Sequence, residues 1–310
     1  MKFKVEKNCV HYKDWEKTWD RCKSYIESIL YEFEIDTCKY FVIANDNDDD
    51  YNLAIQKYSK KLNNIESATP DYGNGFDFFG KCLEGTNQKG EFCQAIIIKL
   101  VIMVAFCVDH SVKNGKITID KDYEDLKDIG YSIVTHELGH AYDNQNIYNL
   151  FGIEPFKIKN YKINEYKKFI RNMALYIWGE YYAENFMYIF IKKNDEIVIQ
   201  KESMLLDSIH KYPRGKDTNS INKRVYRICY FYAHYMAYYE HQSKDCPLFD
   251  KYNEDKVLLS YKPYLKSLGQ TLHMLKGRYP EWENKKEINN LKELIYNMIQ
   301  FEHGFLHSEG

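Results

Sequence analysis

Apolar residues recur at helical spacing along much of the chain. Trp15, Trp19, Cys22, Ile26, Ile29 and Phe33 stand three or four apart and predict a helix over Lys13–Phe33. Cys38–Ala44 (CKYFVIA) reads as a short strand ended by the polar stretch Asn45–Asp50, and a helix follows over Tyr51–Leu62. Ala68–Gly90 holds Pro70 and five of the fifteen glycines and reads as a loop. Gln94–Ala105 is a strand region, and Lys116–Ile119 is another after the turn Lys113-Asn114-Gly115. Two long helices cover Asp122–Gln145 and Asn164–Lys193, separated by a loop with Gly152 and Pro155. From Ile197 onward the pattern is mainly helical, interrupted at Pro213–Gly215, Pro247, Pro263 and Pro280. No internal repeat is visible. The expected fold is α+β, divided into an N-terminal α/β region (1–90), a core (91–195) and a mainly helical C-terminal region (196–310).

Composition narrows the class. The 310 residues fit one large domain or two small ones, and 43 Lys plus Arg against 45 Asp plus Glu give a net charge of −2. That balance lacks the basic stripe that nucleic acid requires. Met1–Lys23 is charged throughout with no apolar h-region, and the eight cysteines show no CxxC spacing. Both features point to free thiols in a reducing, cytoplasmic setting. Phe92–Val108 is strongly apolar, but Lys99 interrupts it and it is shorter than the roughly 20 residues a membrane span needs. It reads as a buried strand or helix, with no membrane partner expected.

One segment carries chemistry: His136-Glu137-Leu138-Gly139-His140, an HExxH motif. Four residues along a helix return a side chain to within about 40° of its starting direction, so both imidazoles leave one face toward a single cation. Glu137 stands at the edge of that face, where it can hold and deprotonate a metal-bound water. Ile133–Tyr142 has no charge other than the motif's own. Leu126, Ile129, Ile133, His136, His140, Asp143 and Ile147 share an arc of roughly 100°, so the histidines interrupt a core-facing stripe. The bland alternative is a pair of core histidines satisfied by hydrogen bonds.

A catalytic zinc takes three protein ligands and keeps one position open. The metzincin arrangement needs Gly three and His six residues after the second histidine; Asp143 and Asn146 stand there, which excludes it. Downstream, Gly179–Phe186 reads GEYYAENF. Phe169, Met173, Ile177, Glu180, Glu184, Met187 and Ile191 share an arc of roughly 80° on the second long helix. Two carboxylates inside an apolar stripe are costly unless something positive faces them. Zn2+ and its imidazoles would be that partner, with Glu180 as ligand and Glu184 accepting the ring N–H of a liganding histidine. A Lys or Arg facing the pair, or exchanged roles for the two glutamates, stay open as alternatives.

HELGH followed by this Glu-aromatic-aromatic-Ala-Glu-x-Phe motif resembles the gluzincin metallopeptidases, most of all the anthrax lethal factor and Pro-Pro endopeptidase type. HELGHAYD (His136–Asp143) matches that type's usual extension. The resemblance covers Gln94 to Lys193. It implies a zincin-like core: a small mixed sheet, an active-site helix and a glutamate helix. It also implies His136, His140 and Glu180 as zinc ligands, Glu137 as catalytic base, and Glu184 and Asp143 as acids that support the ligands. In that type a tyrosine seven residues before the liganding Glu supports the transition state; here Met173 occupies the place and Tyr176 stands nearby. The ImmA-type peptidases share HELGH and Glu-x-x-Ala-x-x-Phe, but have Asn or Asp where this chain has Glu184. The expected function is a zinc-dependent endopeptidase acting on a protein or peptide; the alternative is a zincin-fold binding or regulatory protein without activity.

The oxyanion donor is expected among Tyr176, His234, His241 and the tyrosines of Tyr226–Tyr239. An edge strand that pairs with extended substrate is expected in Gln94–Ala105. Other signals are weak. Asp46, Asp48 and Asp50 begin like an EF-hand loop, but Tyr51 and Lys57 occupy its Gly and Glu positions, so they read as a solvated turn. Gly73-Asn74-Gly75 lacks the third glycine of a dinucleotide loop. Cys107 and His110 lack a partner pair for a second zinc. His303 and His307 read as an exposed helix face. The aromatic run Cys229–His241 fits a helix core better than a substrate groove.

Overall fold

A computed structural model of the chain describes residues 1–6, 16–63, 79–112, 121–152, 166–191, 195–211, 217–284 and 286–308. The chain is α+β and divides into two compact units, Met1–Lys157 with Phe186–Lys192, and Ile158–Asn185 with Lys193–Gly310.

The first unit is built on a small mixed sheet. Strands β1 (Lys2–Val5), β2 (Cys38–Ala44), β3 (Gly80–Thr86) and β4 (Phe92–Lys99) lie in the order β1-β2-β4-β3. β1, β2 and β4 run parallel, and β3 returns antiparallel along β4. Every residue of β4 is buried, as befits a central strand covered on both faces. On one face Val42, Leu83, Ala95 and Ile97 cluster with Tyr51, Ala54, Ile55 and Tyr58 of helix α2 (Asp48–Lys61). Helices α1 (Glu16–Glu32), α3 (Leu100–Val112) and α4 (Lys121–Phe151) complete the unit. A Cβ on Gly130 of α4 would lie 2.5 Å from the Phe106 backbone nitrogen of α3, so only glycine allows these two helices their close approach.

The second unit is helical: α5 (Tyr166–Met187, its last turn counted with the first unit), α6 (Asp195–His210), α7 (Thr218–His241), α8 (Leu248–Lys251), α9 (Lys256–Lys276) and α10 (Asn289–Ser308). α7 is the central member, packed against α6, α9 and α10. Phe231, Tyr232, Tyr235 and Tyr238 are buried on it, so the aromatic run is core.

Several expectations change. Gly80–Thr86, read as loop, is strand β3, held by seven residue pairs with β4 that its two glycines disguise. Gln94–Ala105 is not one strand: β4 ends at Lys99 and α3 begins at Leu100, where the Asp46 side chain accepts from the Val101 N–H at 2.7 Å. β4 is also interior, so it is not the expected edge strand; β1 and β3 are the edges. α2 starts one turn before Tyr51 because Asn47 accepts from the Asp50 N–H, with Asp48–Asp50 in the first turn. The acidic stretch is therefore a helix start. Pro263 lies inside α9 rather than ending it; the buried residues Leu258, Tyr261, Leu265 and Leu268 carry the helix through the missing hydrogen bond. The second long helix ends at Met187. Lys13–Trp15 of the first predicted helix, the strand Lys116–Ile119, Gly73-Asn74-Gly75, Pro155 and Pro213–Gly215 lie outside the described residues. Among the described residues no helix is long and apolar enough to cross a membrane, and seven cysteines are free.

Candidate metal centre

Polar anchors fix α4 against the sheet. Gln94, wholly buried on β4, donates to the Ala141 carbonyl at 2.7 Å, one residue past His140. Its side-chain oxygen accepts from Asn144 at 3.2 Å. Gln145 accepts from the Asp36 and Thr37 N–H groups and the Thr37 hydroxyl, and donates to the Glu34 carbonyl. These contacts set the axial position and rotation of the helix, because each partner is backbone or is itself pinned to backbone.

On the helix so held, His136 and His140 are half-buried one turn apart, with ring centroids separated by 4.7 Å at 86°. Their Nε2 atoms stand 3.1 Å apart. Two nitrogens on a tetrahedral zinc at Zn–N distances of about 2.0–2.1 Å stand roughly 3.3 Å apart, so the pair already has the right bite. Glu137 is buried beside the start of β3: a Cβ on Gly80 would come within 2.9 Å of Glu137 Cγ, Ile133 Cγ2 and Ile98 Cδ1. Glycine is what lets the strand pass the acid. Burial raises the Tyr51 hydroxyl far above its ordinary range, and the Glu137 charge adds to the rise. The Cys82 thiol is likewise raised, by burial first and then by the Cys38, Glu137 and Glu84 charges, against an opposing Asn144 hydrogen bond. Both groups therefore stay neutral at physiological pH.

α5 presents Glu180, half-buried, and Glu184, buried, one turn apart. His136, His140 and Glu180 each offer one ligand atom, and these three atoms lie within 4.8 Å of one another. Among the described residues this is the one such group of three His, Cys, Asp or Glu side chains. The group can bind a metal ion, and two imidazoles with one carboxylate are a donor set that suits zinc.

The other expected residues fall as follows. Asp143 is buried on α4. Tyr176 is half-buried on α5, one turn before Glu180. His241 is exposed at the end of α7. His234 is buried on α7, its Nδ1 hydrogen-bonded to Glu184 Oε2 at 2.9 Å and its Nε2 at an ion-pair distance of 3.3 Å from Glu180 Oε2. A histidine thus faces the glutamate pair. Cys107 approaches Cys22, with sulfurs 3.0 Å apart. Sequence reasoning passed over Gln94, Asn144 and Gln145; the readable signal was Gln94, a lone amide in an apolar run. Comparison of the chain with protein-family models, with curated proteins and with solved structures gave no match.

Proposed function

We propose that the chain is a zinc-dependent endopeptidase of the gluzincin kind. The observation that carries this reading is the gathering of His136, His140 and Glu180, with an acid, Glu137, on the same helix as the histidines. Three protein ligands, rather than four, is the catalytic and not the structural zinc pattern. Zinc supplies a Lewis acid for the scissile carbonyl and brings the acidity of water into the neutral range. Glu137 takes the proton of the attacking water and delivers it to the leaving amine. Tyr176, one turn from Glu180, is our candidate for the donor that stabilises the developing oxyanion. The carboxylate pair alone would not support this reading, since His234 already faces both glutamates. The two imidazole nitrogens, 3.1 Å apart on one face of the helix, are a pair that a cation can bridge in place of their mutual hydrogen bond.

The test pairs elemental analysis with digestion of a peptide library. Wild type and Glu137→Gln should each carry about one zinc per chain, while the variant loses on the order of 10²–10⁴-fold in cleavage rate. Undiminished cleavage by Glu137→Gln would overturn the mechanism. Zinc-loaded wild type that cleaves nothing would favour a binding or regulatory protein.

A further inference from the structure

Glu180 and Glu184 leave the same face of α5, and a single buried imidazole meets both. His234 is 2% exposed; its Nδ1 is hydrogen-bonded to Glu184 Oε2 at 2.9 Å, and its Nε2 approaches Glu180 Oε2 at 3.3 Å, an ion-pair distance without hydrogen-bond geometry. Tyr230, one turn earlier on α7, packs its ring 4.6 Å from the His234 ring centroid. Phe231, Tyr232, Ala233 and Tyr235 are buried on the same helix. An imidazole has only two side-chain torsions, and here burial leaves the ring little room to turn. A glutamate has three, and so needs more to hold its end in one orientation.

We infer that His234 is a positioning residue: hydrogen-bonded to Glu184 through Nδ1, it sets its other nitrogen against the Glu180 carboxylate and so favours the orientation in which that carboxylate would ligate a metal. The inference rests on the reading of Glu180 as a metal ligand. It gives Glu184 a role as well. Glu184 fixes the ring that fixes the ligand, so the four-residue spacing of the glutamates and the place of His234 on α7 form one device. Metal ligands held by such outer partners lose on the order of 10–100-fold in affinity when the partner is removed.

The experiment measures zinc affinity of the full chain by competition with a chromophoric chelator, for wild type, Glu180→Ala, His234→Ala and the double variant. His234→Ala should weaken zinc by about 10–100-fold. In the Glu180→Ala background the same change should have almost no further effect, because its route to the metal is already gone. A merely structural role would give independent losses in the two backgrounds, and that result would overturn the inference, as would unchanged affinity in His234→Ala. If Glu180→Ala itself binds zinc as tightly as wild type, the ligand reading fails instead, and the two failures are distinguishable. Cooperative melting in the presence of EDTA checks that each variant folds. Should His234→Ala not fold, His234→Asn takes its place: its amide keeps reach of Glu184 but not of Glu180, and zinc affinity equal to wild type would again overturn the inference.

Discussion

Helices α4 and α7 are both long and largely buried, yet they are held by different chemistry. α4 is fixed by amides: Gln94, Asn144 and Gln145 bind backbone groups, hydroxyls and one another. α7 is fixed by ions. Arg224 pairs with Glu302 at 3.0 Å with both side chains fully buried, His234 meets two glutamates, and Tyr235 donates to Glu202. Amides give direction at little desolvation cost, which suits a helix whose rotation aims a histidine pair. Buried ions cost far more to desolvate and are stable only as complete sets, so each partner on α7 commits its neighbours.

The sharpest way to break this contrast is to remove one member of a set. Glu302→Leu strands the Arg224 guanidinium, and denaturant melts should show a loss of about 3–5 kcal/mol. Adding Arg224→Met should recover most of it, since the apolar pair leaves no charge unmatched; a double variant as weak as the single would mean that volume, not charge, is decisive. Gln145→Leu should cost less, about 2–4 kcal/mol, from a buried acceptor of three hydrogen bonds and a donor of one. A loss under about 1 kcal/mol would show that the amide anchors are dispensable.

The same contrast governs how much was legible. The histidine pair was readable because both ligands sit on one element at a fixed spacing. Strand Cys38–Ala44 was readable because its apolar run is bounded by turn residues. β3 was not, because its glycines answer to partners elsewhere: Gly80 to Glu137 and Gly85 to the Leu62 carbonyl, where a Cβ would come within 2.1 Å. The start of α3 is set by Asp46, 55 positions away in sequence. His234 stood in the sequence as one of several donors; only the fold shows that its ring is hydrogen-bonded to Glu184 and lies against Glu180. Local periodicity announces elements and motifs, whereas anchors are tertiary by nature.

The smallest expected effect separates the two kinds of anchor most cleanly, because it depends on pH. Burial pushes the Glu202 carboxyl up, but hydrogen bonds from Lys251, Tyr252 and Tyr235 outweigh it and hold the group below its ordinary value. A carboxyl depressed in the folded state binds its proton more readily when unfolded. Its contribution is therefore complete above the unfolded value, about 4.3, and is lost as pH falls through the lower folded value. Lys251 is half-exposed, so screening keeps this contribution modest. The stability difference between wild type and Glu202→Gln should be constant at neutral pH and close as the solution is acidified below about pH 4. The difference between wild type and Gln145→Leu should stay parallel over the same range, because an amide does not titrate there. Urea melts of the three proteins from about pH 6 to pH 3 measure both gaps, and a Glu202 gap that stays open in acid would place the anchor's worth in packing rather than in charge.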